Sequence, residues 1–176
     1  MDKEAIRREL GDLPTPHWGW TGVLRNWLAR REPGVIAGYL AFGHEPDVGV
    51  LIGSLPRWEW VLPRVEPDGA LTFRPALVPR ERHRWGMMQP ADRGIVTPVE
   101  ELDVVLVPGV GFTATGHRLG RGGGFYDRVL STRRSESTAV GVVAANRVLA
   151  SVPIDDHDER VDWIATERGM IQCSGD

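Results

Sequence analysis

The chain has 176 residues, a formal net charge of -3 and 26% charged residues, which is the size of one globular domain, 1–176, without the basic stripe that grips nucleic acid. Its single cysteine, Cys173, excludes an internal disulfide framework and a cysteine-based zinc site. No apolar run reaches bilayer-spanning length, and the opening MDKEAIRREL has neither a signal-peptide core nor an acid-poor transit composition, so the cytoplasm is the expected location and no membrane partner is expected.

In chain order, the pattern predicts helices at about 2–11 and 20–31, an apolar strand near 35–42 and a helix near 47–55. Strands follow at about 58–65, 70–75 and 102–107, then a helix at 124–133, an apolar run at 139–144 and a last strand near 163–166. The alternation is that of an α/β fold, and it predicts a three-layer α/β/α sandwich around a mainly parallel sheet. Val104, Val105, Leu106 and Val107 form a continuous apolar run, which suits a parallel strand covered on both faces.

The most informative stretch follows that strand. Gly116, Gly120, Gly122, Gly123 and Gly124 let the backbone adopt positive φ and turn its N–H groups towards bound oxygens. Phe125, Val129 and Leu130 recur at helical spacing, so the loop feeds a helix N-terminus that favours anions. Arg118 and Arg121 add fixed positive charge, and Asp127 near the helix start is a helix-favouring acid or a metal ligand facing the same phosphates. No Lys-Ser or Lys-Thr pair follows the glycines, which excludes an ordinary P-loop, and the third glycine of the dinucleotide fingerprint is missing.

Other groups speak less clearly. Lys3 and Arg7 share one face of the first helix, where Glu4, Glu9 and solvent suffice as partners. Asp155, Asp156, Asp158, Glu159 and Asp162 crowd PIDDHDERVD, either as a solvated turn or as hard-cation ligands. The histidines, His157 included, lack metal-binding spacing. Trp85, in the polar segment RHRWGMMQP, is the tryptophan placed to stack on a flat ligand, with Phe42 and Tyr126 next.

Three pieces of the chain together resemble the 5-formyltetrahydrofolate cyclo-ligases, or methenyltetrahydrofolate synthetases: VPGVGFTATGHRLGRGGGFYDRVL, VPIDDHDERVDWIATE, and the Lys3-x-x-x-Arg7 start joined to YLAFGHEPDVGVLI. The resemblance implies a fold like that of ribose-5-phosphate isomerases and CoA-transferases. It implies ATP- and Mg²⁺-dependent closure of 5-formyltetrahydrofolate, with or without a polyglutamate tail, to 5,10-methenyltetrahydrofolate by a monomer. By position, it places ATP on Lys3, Arg7 and the loop residues Arg118, Leu119, Gly120, Arg121, Gly122, Gly123, Gly124, Phe125 and Tyr126. Arg118 and Arg121 become the residues that stabilise the moving phosphoryl group, and Asp127 and Asp158 the Mg²⁺ ligands. Folate falls to Phe42, Glu45, Asp47 and Trp85, with Arg121, Gly122, Gly123, Gly124 and Phe125 touching it as well. Glu45-Pro46-Asp47-Val48 departs from the family's acid-x-acid-Thr, Asn146 stands where Gln is common, and Phe125 where Tyr is frequent. The rival readings are a relative acting on another carbonyl or sugar-phosphate compound, and a non-catalytic folate- or nucleotide-binding module.

Overall fold

The computed structural model describes residues 2–11, 13 and 19–174. In chain order it contains α1 (Lys3–Gly11), α2 (Trp20–Leu28), β1 (Val35–Ala37), β2 (Glu59–Val65), β3 (Leu71–Pro75), β4 (Arg80–Arg82), β5 (Met88–Pro90) and β6 (Val104–Pro108). There follow β7 (Gly111–Thr113), β8 (Arg118–Leu119), α3 (Phe125–Thr132), β9 (Thr138–Val142), β10 (Val148–Leu149), β11 (Trp163–Thr166) and β12 (Gly169–Gln172). Seven strands form one sheet in the order β12-β11-β9-β6-β1-β2-β3, parallel except for its two edge strands. A three-stranded sheet, β10-β7-β8, and the hairpin β4-β5 complete the structure.

Alternation along the central strands creates the layers. On one face Ile36, Trp60, Leu62, Val104, Leu106, Val140 and Val142 pack against Trp20, Leu24 and Leu28 of α2. On the other, Ala37, Val61, Val105, Val107, Ala139 and Val143 meet Phe112 of β7 and Val129 and Leu130 of α3. Strand β6 is therefore buried on both faces, as its unbroken apolar run predicts. Helix α1 lies apart from these two clusters, setting Leu10 and Ile6 against Leu119, Val152, Val110 and Leu149.

Three expected elements differ. The strand expected at 35–42 ends as β1 at Ala37, because the chain leaves the sheet after Gly38 and the Tyr39 hydroxyl donates to the Pro46 carbonyl at 2.8 Å. The helix expected near 47–55 is a 3-10 turn, Val48–Leu51, followed by a further turn. Asp47 caps it, Gly49 and Gly53 weaken any α-helix there, and the bonds run from Ile52 N–H to Gly49 O and from Ser54 N–H to Leu51 O. Part of the expected 116–124 loop is the strand β8, which pairs with β7.

The Phe112 ring lies between two strands where only glycine leaves room. A Cβ on Gly109 would come within 2.7 Å of it, and one on Gly141 within 2.6 Å. Replacing Gly141 by alanine must displace a fully buried ring, so Gly141→Ala should lower the unfolding free energy by about 1–3 kcal/mol in urea titration. Unchanged stability would contradict this packing.

Candidate active site

The chain beyond the carboxyl ends of β1 and β6 lines a cavity of about 580 Å³, with Tyr39 and Leu40 on one side and Pro108 and Gly109 on the other. This is where open α/β sheets place ligands. Further segments complete it: the first turn of α1, the turn from β8 into α3, the acidic segment after β10, and β2 and β3 with the β4-β5 hairpin.

The glycine-rich turn is shaped for close approach. Gly122 (φ 98°) and Gly124 (φ 61°) adopt the left-handed region, and Gly124 is the N-cap of α3 without any side-chain cap. The first amides of α3 are thus left for a ligand, in a conformation that forms anion-binding concavities. A Cβ on Gly120 would lie 2.3 Å from an Arg118 nitrogen, so glycine here makes room for the guanidinium.

Charges around the cavity are paired across segments. Arg118 donates to Asp127 Oδ2 at 2.8 Å, with both side chains largely buried. Arg121 donates to Glu45 Oε1 at 3.0 Å and to the Phe42 carbonyl at 2.6 Å, clasping the turn after β1. Arg7 donates to the Gly120 carbonyl at 2.7 Å, which docks α1 on the loop. Lys3 Nζ lies 2.6 Å from Asp155 Oδ2 and 2.5 Å from Asp158 Oδ2. Burial pulls the Lys3 ammonium down, but hydrogen bonds and charge from Asp155 and Asp158 outweigh it and hold the group above its ordinary value. Burial likewise pushes Asp158 up, while the Lys3 hydrogen bond and the Asp155 N–H keep it below the usual carboxylate range.

An aromatic rim faces this polar floor. The β4-β5 hairpin carries Trp85 at its tip, half exposed, 6.0 Å from the Phe125 ring and 4.6 Å from the His83 ring. Its root is fixed to β2, where Arg64 donates to Glu81 at 2.5 Å and to the Pro90 carbonyl at 2.8 Å, and the Val65 N–H donates to Gln89 Oε1 at 3.2 Å. Phe42 lies under the Arg121 guanidinium, 5.2 Å from it. The Tyr126 hydroxyl is buried without a hydrogen-bond partner among the described residues, and burial first, then Glu45, pushes its pKa well above the ordinary phenol value.

Of the sequence-predicted residues, Lys3, Arg7, Phe42, Glu45, Trp85, Arg118, Gly120, Arg121, Gly122, Gly123, Gly124, Phe125, Tyr126, Asp127 and Asp158 line this one cavity. Two do not. Leu119 is fully buried against Leu10 and Val152, because its strand turns it inward. Asp47 caps the 3-10 turn by accepting from the Gly49 N–H at 2.9 Å. Tyr39, Met87, Met88, Gln89 and His157 also line the cavity without a sequence signal that singled them out, and Asp155 lines it from the acidic segment that the sequence left open between a solvated turn and hard-cation ligands. Ligand atoms of Asp155, His157 and Asp158 lie within 4.8 Å of one another, a cluster legible only in the close spacing of DDHD. The carboxylates suit magnesium, which takes hard oxygens from protein, water and phosphate; the imidazole is the softer donor.

The sequence model of the 5-formyltetrahydrofolate cyclo-ligase family matches residues 25–167. A 5-formyltetrahydrofolate cyclo-ligase of Mycolicibacterium smegmatis is 29% identical over 167 residues, covering 87% of this chain and 85% of the relative. One of Haemophilus influenzae is 32% identical over 145 residues, covering 76% and 75%. The solution structure of Aquifex aeolicus 5,10-methenyltetrahydrofolate synthetase superposes with a TM-score of 0.80 at 26% identity, covering 100% of this chain and 95% of that one. A Mycoplasma pneumoniae 5,10-methenyltetrahydrofolate synthetase, at 22% identity over 94% of this chain and 98% of its own, shares the fold with a TM-score of 0.76. Matched along most of its length in sequence and in fold, the chain belongs to the 5-formyltetrahydrofolate cyclo-ligase family.

Proposed function

We propose that this chain closes 5-formyltetrahydrofolate to 5,10-methenyltetrahydrofolate with ATP and Mg²⁺, releasing ADP and phosphate. The observation that carries the reading is the convergence, in one cavity, of an uncapped helix N-terminus, four basic side chains, carboxylates and an aromatic rim. ATP supplies the phosphoryl group that turns the formyl oxygen into a leaving group, so that N10 can close the ring as phosphate departs. The substrates bring both nucleophile and electrophile; the protein contributes alignment and charge neutralisation.

In this reading the amides at the start of α3 and the side chains of Lys3, Arg7 and Arg118 hold the phosphates. Arg121 reaches the transferring group from the folate side, where Glu45 and the Phe42 carbonyl already orient it. Asp127 and Asp158 would hold Mg²⁺, with Asp155 beside Asp158 as a further oxygen donor; Asp127 lines the same cavity but stands outside the Asp155–His157–Asp158 cluster, and the metal would offset charge on the phosphates. Trp85 and Phe125 offer the apolar faces on which a pterin ring stacks, and Phe42 bounds the far side. Tyr126 lines the same cavity, and its buried hydroxyl, held protonated, is an unpartnered donor beside it among the described residues.

The test is direct. Purified protein given ATP, Mg²⁺ and 5-formyltetrahydrofolate should develop the absorbance of the methenyl product, and should not do so when ATP is omitted. Because the half-exposed Trp85 ring contributes to the rim rather than to the core, Trp85→Ala should raise KM for the folate by about tenfold with little loss of stability, a size typical of one lost stacking partner. Absence of product, or an unchanged KM, would count against the reading.

The Lys3–Asp158 pair has a definite pH signature. A folded-state pKa below the unfolded one means that the Asp158 contribution is complete above the ordinary aspartate range and is lost as pH falls through the depressed value. The raised Lys3 value means that its share persists until pH rises through the upper limit of lysine titration. Denaturation of wild type and Asp158→Asn across a pH series should therefore show a stability gap at neutral pH that closes in acid. A gap that stays constant in acid would contradict the pairing.

A further inference from the structure

Each of the two carboxylates proposed above to hold the metal already holds a cation of the chain. Asp127 is paired with Arg118, and Asp158 with Lys3. Asp158 Oδ2 is engaged twice over, since it also accepts the Asp155 N–H at 2.8 Å, and Asp155 shares the same ammonium. A divalent ion entering beside Asp158 needs those lone pairs and would sit next to a positive charge.

Lys3 differs from the neighbouring cations in how it is kept. Arg7 is fixed to the Gly120 carbonyl and Arg121 to Glu45 and Phe42, so both brace the walls. Lys3 stands in the first turn of α1, where the helix dipole disfavours a cation, and among the described residues its side chain bonds only the two aspartates. Its four-carbon stem can carry the ammonium elsewhere in the cavity while Arg7 keeps the helix docked.

We infer that Lys3 is an internal counter-cation that gates metal binding: it neutralises Asp155 and Asp158 until nucleotide phosphates give its ammonium other acceptors, so that metal and nucleotide bind cooperatively. The inference rests on the function proposed above and deepens it. In the free protein the ammonium stabilises two neighbouring carboxylates that would otherwise repel. Triphosphate oxygens, arriving at the α3 amides, draw the ammonium away and leave an oxygen site for the divalent ion. By reciprocity the metal must strengthen nucleotide binding by the factor by which nucleotide strengthens metal binding.

The test measures Mn²⁺ affinity of the full chain by electron paramagnetic resonance without nucleotide, and affinity for adenylyl imidodiphosphate by calorimetry with and without Mn²⁺. Lys3→Met, and Lys3→Gln as a second neutral variant, should bind Mn²⁺ alone about tenfold more tightly than wild type, within the usual range of coupling between sites. Lys3→Arg, which keeps the charge, should bind it as weakly as wild type. Mn²⁺ should strengthen nucleotide binding to wild type and do so much less in the neutral variants. If neither neutral variant gains Mn²⁺ affinity, or if Arg7→Gln gains as much, the gate is overturned while the proposed function stands. If wild type binds no nucleotide analogue and makes no methenyl product, the function itself fails and the gate with it.

Discussion

Pairing of opposite charges between separate segments of the chain is the constraint on which the site depends. Lys3 joins α1 to the Asp155–Asp158 turn, Arg118 joins β8 to α3, and Arg121 joins the glycine-rich turn to the chain leaving β1. None of these contacts is part of the main sheet. Each brings a basic group to the cavity that the sheet leaves beyond its carboxyl edge, and each supplies the acid that keeps that base oriented. Such partly buried pairs add little net stability, because desolvation opposes the Coulomb gain, but losing one partner leaves a costly lone charge. Their value lies in order: under the proposed function, phosphate would meet arginines already braced, Lys3 being the base that moves, and a metal would meet the acids of the Asp155–Asp158 turn.

The sheet makes this possible by being rigid beneath. Strand β6, buried on both faces, ends at Pro108 just before Gly109, and the Phe112 ring is held there with no space for a Cβ on Gly109 or Gly141. That packing sets where β7 and β8 run, and so where Arg118 points. Opposite it, the Arg64–Glu81 and Val65–Gln89 bonds root the β4-β5 hairpin in β2 and hold Trp85 over Phe125. A polar, charge-balanced floor and an apolar rim together fit a ligand that is ionic at one end and flat at the other.

Much of this was legible in the residues. The run at 104–107 and the helical spacing of Phe125, Val129 and Leu130 are strong local signals, and both elements form as read. The glycines at 122 and 124 announced positive φ, which they adopt. Signals failed where tertiary contacts decide. Val48, Leu51 and Leu55 are buried at helical spacing, yet Asp47 and two glycines make tight turns of that segment. The hairpin strands β4 and β5 are three residues each and mostly exposed, too short for a period to show. Asp47, expected at the folate, caps a turn outside the cavity lining, and Leu119, inside the motif, is packed in the core. His157 and Tyr39 gave no signal of their own, because a lone histidine and a tyrosine just past the end of β1 reach the cavity only through how the chain folds around them.

The central claim is that phosphates bind at the start of α3 while Asp127 and Asp158 meet at one metal. Anomalous diffraction from crystals grown with Mn²⁺ and a non-hydrolysable ATP analogue tests it most directly. The account predicts a single strong manganese peak within coordination distance of both carboxylates, with phosphate oxygens facing the amides at 122–126. A manganese peak away from either aspartate, or phosphates bound outside this cavity, would contradict it.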